Sequence, residues 1–443
     1  MRDIQVGIIG FGTVGSGTAQ VLFEQARRIE KRTGTRVILK RVADVRTDRL
    51  PEQFAGVNLS KDAADIMNDP DISVVVELIG GIEPAKTFIL RAIAAGKHVV
   101  TANKALLSTH GREIFDAAQA KGVEVGFEAS VGGGIPVIKA LKEGLVANRI
   151  LSIMGIVNGT ANYILTQMND HGRSFAEVLK DAQQKGYAEA DPRYDVEGID
   201  TAHKLAILMT LAYGMHVGLD DISVEGISRI EPTDLAFARE FGYRIKLLAI
   251  SRNHGSHVEA RVHPTMIPEG HMLASINGAF NGIHFTGDMV GDVLLYGLGA
   301  GKMPTGSAVV ADVVDIARNI VNGAVNRVPS LSYQPEHFRP TSITPMAELT
   351  GPYYFRISAM DKPGVLSTIA GILSQHNISI ESVLQKGRRA EGAVPVVIVT
   401  HDAREDDVRL ALAEIDALDM VTESTVKIRI MTDDHMADSG DDE

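Results

Sequence analysis

The stretch Val6-Gly7-Ile8-Ile9-Gly10-Phe11-Gly12-Thr13-Val14-Gly15 decides how the chain begins to fold. Val6 to Ile9 is a short apolar run of the kind buried inside a parallel sheet. Thr13 to Glu30 reads as a helix. Between them sit Gly10, Gly12 and Gly15 in the spacing Gly-x-Gly-x-x-Gly. The first glycine permits a tight turn and the second lets backbone approach a pyrophosphate. The third lets helix and strand pack closely. The helix start turns free N–H groups and a partial positive charge toward the phosphates. Gly10, Phe11, Gly12, Thr13, Val14 and Gly15 are therefore the expected dinucleotide contact.

Downstream, the alternation continues. Val37–Ala43, Val74–Ile79, Val99–Thr101 and Val123–Phe127 read as strands, with helices over Ala85–Ala95 and Lys104–Gln119. This predicts a Rossmann-type doubly wound parallel α/β sheet over residues 1–130. Asp44 ends the second strand, where a carboxylate suits a ribose 2′-hydroxyl. Arg46, two residues on, suits a 2′-phosphate, so the choice between NAD and NADP stays open. Lys104 opens a helix at the carboxyl edge of the sheet. A cation there works against the helix macrodipole, and a function would explain the placement.

After Ser130 the pattern becomes α+β, predicting a central α+β domain over 131–305. A helix over 306–323 is expected to return to the first sheet. Prolines 329, 335, 340 and 345 mark 324–350 as a linker. Residues 351–431 read as a compact βαββαβ unit, and the acidic tail 432–443 reads as disordered.

At roughly 150 residues per domain, 443 residues suggest three domains. A formal net charge of -12 argues against nucleic-acid binding. The chain has no cysteine, which removes disulfides, thiolate zinc sites, iron–sulfur clusters and any thiol nucleophile. No apolar run is long enough for a membrane span and the first residues lack a signal-peptide layout, so a soluble cytoplasmic protein is expected.

The densest chemistry lies between Gly186 and Lys204: Glu189, Asp191, Asp195, Glu197, Asp200 and Lys204. Asp200 and Lys204 are four apart and share a helix face. Ile199, Ala202, Ala206 and Met209 form an apolar stripe expected to face a core. Such a pair is also what a solvated helix surface shows. The number of carboxylates beside one lysine, in a domain next to a nicotinamide site, favours chemistry instead. Carboxylates suit a substrate ammonium, and a partly buried lysine suits general acid–base work at a carbonyl.

With these segments in view, the chain resembles the homoserine dehydrogenase family of the long bacterial type, over roughly residues 4–430. The likeness rests on 186–204, GxGTVG at 10–15, TANK at 101–104, EASVGGGIP at 128–136, NGTANYIL at 158–165 and GLGAGKMPTGSAV at 297–309. It implies reversible NADPH- or NADH-dependent reduction of L-aspartate 4-semialdehyde to L-homoserine. It implies Lys204 as proton donor, Lys104 assisting near the reacting carbonyl oxygen and touching the cofactor, and Glu189, Asp195, Asp200 and Gly186 around the substrate. Gly186 and Gly301 would also touch the cofactor. A monovalent cation, usually sodium, is implied at Glu128, Val131, Gly133 and Ile135. The C-terminal unit resembles an ACT domain, which implies feedback by threonine, with Asp361–Leu366 as the ligand loop. A homodimer or homotetramer is expected. Another amino-acid dehydrogenase on the same scaffold, or a silent nucleotide and amino-acid sensor, are the competing readings.

Overall fold

The computed structural model describes residues 3–385 and 392–432. The first unit runs β1 (Ile4–Ile9), α1 (Thr13–Glu24), α2 (Ala26–Thr33), β2 (Val37–Ala43), β3 (Asn58–Ser60), α3 (Ala64–Met67), β4 (Ile72–Glu77), α4 (Ala85–Ala94), β5 (His98–Thr101), α5 (Lys104–Lys121) and β6 (Val125–Gly126). Its strands are all parallel in the order β3-β2-β1-β4-β5-β6. The order reverses between β1 and β4, so a crevice opens beyond the carboxyl ends of those two strands. The helix expected from Thr13 to Glu30 is two helices. It breaks at Gln25, because α1 buries a face of Gly15, Gly17, Thr18, Ala19 and Leu22 whereas the charged α2 buries only Ile29.

The middle of the chain supplies α6 (Val137–Lys139), β7 (Ile150–Ile156), α7 (Gly159–His171), α8 (Phe175–Gln184), α9 (Arg193–Val196), α10 (Ile199–Tyr213), β8 (Ser223–Val224), α11 (Pro232–Glu240), β9 (Tyr243–Asn253), β10 (Val258–Pro268), β11 (Phe280–Gly287) and β12 (Gly291–Leu298). Then α12 (Lys302–Asn322) crosses back onto α1. The crossing is close enough to need glycine: a Cβ on Gly17 would stand 2.2 Å from the Lys302 carbonyl oxygen, and one on Gly306 2.8 Å from the Gly17 carbonyl carbon.

The last unit is β13 (Thr350–Gly351), β14 (Tyr353–Met360), α13 (Val365–Gln375), β15 (Ile380–Gln385), β16 (Ala393–Thr400), β17 (Ala403–Arg404), α14 (Glu405–Asp416) and β18 (Val426–Ile430). Sequence spacing suggests a unit hung on a linker, and the structure differs. Its sheet is continuous with the central one in the order β12-β11-β7-β9-β10-β18-β14-β16-β15. The seam is a parallel pairing of Thr265 with Arg429 and Met266 with Ile430. The proline-rich segment 324–350 is packed as well. The Tyr333 hydroxyl donates to the Ala212 carbonyl at 3.0 Å, and Arg339 Nε to that of Tyr213 at 3.2 Å, which straps the end of α10. Its backbone also pairs with the central domain: the Arg339 amide donates to the Gly214 carbonyl, the Ser342 carbonyl accepts from the Val258 amide, and the Thr344 amide donates to the Val258 carbonyl, each at 2.9 Å. Most of the acidic tail expected over 432–443 lies outside the described residues.

Burial of charge at the seam is complete on one side. Arg429 is 7% exposed and donates to Glu405 at 2.7 and 2.9 Å and to Glu225 at 2.7 and 2.9 Å. Arg356 pairs likewise with the fully buried Asp234 at 2.6 Å. Without Arg429, the 6% exposed Glu405 keeps Lys427 and the Tyr353 hydroxyl as partners but loses the bidentate guanidinium that holds it at the seam. Arg429→Met is therefore expected to lower unfolding stability by about 3 kcal/mol, read by chemical denaturation.

Candidate active site

Each glycine of the first loop has a different physical reason. Gly10 sits at φ +95, which L side chains rarely adopt. A Cβ on Gly15 would lie 2.0 Å from the Gly10 carbonyl oxygen, whereas one on Gly12 would meet nothing within 4 Å. Gly12 thus borders open space at the start of α1, where a diphosphate fits against helix N–H groups. The loop is tied to the second strand by Asp44. Its Oδ2 accepts from the Phe11 amide at 2.6 Å, and its Oδ1 accepts from those of Arg46 and Thr47 at 2.7 and 2.9 Å. Burial pushes the Asp44 carboxyl up, but these amides outweigh it and hold it below the usual carboxylate range. The Arg46 side chain is exposed and makes no ion pair among the described residues. Gly301, at φ +131, precedes α12, whose first residue already touches Gly17.

The second half of the site stands where α5 of the first unit meets α9 and α10 of the central one. Gly198 opens α10 in a left-handed conformation, φ +81. Asp200 and Lys204 follow, 3% and 8% exposed, so they are not a solvated surface pair. Lys204 Nζ donates to Asp200 Oδ2 and to the Val157 carbonyl, both at 2.6 Å. An ammonium has three donors, so one remains. Asp200 Oδ1 lies 3.1 Å from Lys104 Nζ. One carboxylate therefore joins a lysine from each domain. Asn158 completes the set: its Oδ1 caps α7 at the Ala161 amide, and its Nδ2 donates to both Asp195 and Asp200 at 2.8 Å.

The electrostatics follow from burial and charge together. Burial pushes Asp200 up, yet Lys204 and Lys104 outweigh it and hold the carboxyl at about 2. Burial pushes Lys204 below the ordinary lysine value, with Asp200 opposing that shift. Asp195 moves up, through burial and then the neighbouring Asp200 charge. Two carboxylates driven apart in this way are suited to different roles.

Gly186 is an exposed turn residue at φ +75. Glu189 stays outside the network. It is exposed, its carbonyl accepts from Gln183, and its carboxylate makes no hydrogen bond or ion pair among the described residues. Ile199 also departs from expectation. It is 37% exposed, because α10 is buried nearly all round and Ile199 projects from its open end, so no single stripe defines the core. Sequence reasoning missed Asn158, whose signal is the Asn-Gly-Thr helix start typical of a cap. It also missed Glu77 at the end of β4, fully buried, which binds Thr101 Oγ1 at 2.8 Å and the Ile79 amide at 2.8 Å and so shapes the crevice wall.

Glu128 is 5% exposed and accepts the Ile138 and Lys139 amides at 2.8 and 2.9 Å. Beside it, the carbonyls of the buried residues Val131 and Gly133 accept no hydrogen bond among the described residues. The Ile135 carbonyl accepts from the Val137 amide at 2.8 Å.

The fold and these two clusters define a dinucleotide-dependent enzyme whose buried charged cluster lies between its first two domains. Comparison with known proteins makes this specific. Residues 10–128 match the profile of the homoserine dehydrogenase NAD-binding domain, 136–314 that of homoserine dehydrogenase, and 353–419 the ACT domain. A homoserine dehydrogenase of Neisseria gonorrhoeae is 46% identical, with 97% of this chain and 99% of that protein aligned. One of Pseudomonas aeruginosa is 48% identical over the same shares. The crystal structure of a homoserine dehydrogenase from Thiobacillus denitrificans superposes with a TM-score of 0.92 at 48% identity, covering 97% of this chain and 99% of that one. The chain belongs to the homoserine dehydrogenase family of NAD(P)-dependent oxidoreductases.

The glycines give a direct check on the cofactor loop. Gly12→Val is expected to keep stability within about 0.5 kcal/mol while abolishing dinucleotide binding. Gly15→Ala should instead cost about 1–3 kcal/mol through the clash with Gly10. Thermal melts and cofactor titration separate the two.

Proposed function

We propose that the chain catalyses the reversible reduction of L-aspartate 4-semialdehyde to L-homoserine, with Lys204 as the proton donor to the developing alkoxide. The observation that carries this reading is Asp200 bridging Lys204 and Lys104 at the carboxyl edge that also bears the glycine loop. When bound, the nicotinamide supplies or accepts the hydride. The chain's own residues do the rest. Lys204 has one free N–H after serving Asp200 and Val157, and burial makes its ammonium a better acid than an exposed lysine. Lys104 adds positive charge where negative charge develops. Asp195, with Glu189 from the loop, supplies carboxylates for the substrate ammonium. Asn158 fixes Asp195 and Asp200 together, which orients the aldehyde for attack. Gly186 and Gly301 border the cofactor.

The working division is 1–130 for cofactor, 131–305 for substrate and dimerisation, 306–323 returning to the first sheet, 324–350 as connection and 351–431 as regulatory unit. The buried residues Val131 and Gly133, whose carbonyls accept no hydrogen bond among the described residues, form with Ile135 and Glu128 an oxygen set that suits a monovalent cation, sodium by resemblance. Threonine is the proposed effector of the ACT domain. Tyr296 and Leu298 on the edge strand β12, 55% and 45% exposed, support assembly of copies through the central domain.

The test is homoserine-dependent reduction of NAD⁺ and NADP⁺, with and without threonine. Turnover is expected, and Lys204→Ala should lower it by about 10²–10⁴-fold. A folded protein that binds cofactor but shows no turnover would overturn the reading. Because Asp44 holds the loop while Arg46 is unengaged, Arg46→Ala should weaken NADPH relative to NADH. Asp44→Ala should weaken both, and equal effects of the two variants on the two cofactors would contradict these roles.

A further inference from the structure

Lys104 has a flexible four-carbon stem, and a single ion pair to Asp200 leaves much of that freedom. The structure adds a second constraint. Lys104 Nζ lies 5.8 Å from the centroid of the Tyr194 ring, in cation–π range. Tyr194 in turn stacks on His203, with centroids 5.5 Å apart and planes at 28°. The His203 Nδ1 is 2.5 Å from the Ser108 hydroxyl. Ser108 lies on α5 one turn beyond Lys104, so the chain of contacts closes on the helix it started from. Two members come from the cofactor unit and two from α9 and α10.

We propose that Tyr194 and His203 are positioning residues: stacked together and anchored on Ser108, they hold the Lys104 ammonium against Asp200 across the interdomain cleft. The ring of Tyr194 forms the seat and His203 fixes its tilt. His203 is 5% exposed, and burial lowers its tendency to charge, with Asp200 opposing that shift and Lys104 adding to it. The two attachments, Lys104–Tyr194 and Ser108–His203, register α5 on the catalytic helices one turn apart. The lysine then does not have to be recruited by substrate, and its side-chain entropy is already removed before reaction. Because the face of the ring and not the hydroxyl makes the seat, phenylalanine should serve as well as tyrosine.

This inference rests on the role proposed for Lys104, and a double-mutant cycle separates the two. Measured as kcat/KM for homoserine, Tyr194→Leu and Lys104→Met are each expected to lose on the order of tenfold, and Tyr194→Phe to stay near wild type. In the Lys104→Met background, Tyr194→Leu should cost nothing further, because its effect passes through the lysine. Cofactor affinity and the melting profile of Tyr194→Leu and Tyr194→Phe should stay close to wild type, which a general structural role of Tyr194 would not allow. Wild-type activity in Lys104→Met would overturn the role of Lys104 and this inference with it. A loss in Lys104→Met with an additive loss from Tyr194→Leu would overturn the positioning alone. A loss in Tyr194→Phe equal to that in Tyr194→Leu would also overturn it, since the hydroxyl would then be the active part.

Discussion

One buried carboxylate organises the catalytic half of this protein. Asp200 has almost no contact with water, so it must be compensated where it stands, and it is compensated from both sides of the cleft. Lys204 reaches it from the same helix, one turn on, and Lys104 from the cofactor domain. Each lysine is in turn displaced from its preferred setting. Lys204 is buried, and Lys104 stands at the positive end of a helix. Neither placement is favourable alone, and Asp200 makes both tolerable. The same ion pairs bring the sheet edge that bears the glycine loop against the helix that bears Lys204. Placement of charge and placement of domains are thus one constraint.

Much of this was legible from residues alone. The six-stranded sheet follows from alternating apolar strands and helices, and the three glycines from their spacing, Gly10 and Gly15 with a steric reason in the structure and Gly12 beside open space. The Asp200–Lys204 pairing follows from an interval of four. Its burial does not, because α10 is enclosed on nearly every face and a helix buried all round has no stripe to read. That is also why Ile199 was expected inside and lies at the open end. Asn158 was hidden for another reason. Its sequence signal is a helix cap, and only the fold shows that the amide nitrogen left over from capping binds Asp195 and Asp200.

The C-terminal unit illustrates a limit of composition. Four prolines in 324–350 announce an irregular connection but say nothing about what it packs on. In the structure it straps the end of α10, while β18 extends the central sheet. Glu225, which pairs with Arg429 of β18, is two residues from Ile227, whose amide donates to the Val196 carbonyl beside Asp195. The ACT domain is therefore attached by a sheet and buried charges, and it lies one short segment away from Asp195.

The central claim is that Asp200 sustains the charge of a buried Lys204. Its most direct measurement is the ionisation of Lys204, followed by NMR of ε-carbon-labelled lysine, with Lys204→Met for assignment. The account predicts a titration below the ordinary lysine value in the native chain. It predicts a further displacement to lower pH in Asp200→Asn, because the opposing carboxylate is gone while the burial remains. A Lys204 that titrates like an exposed lysine, with no response to Asp200→Asn, would contradict it.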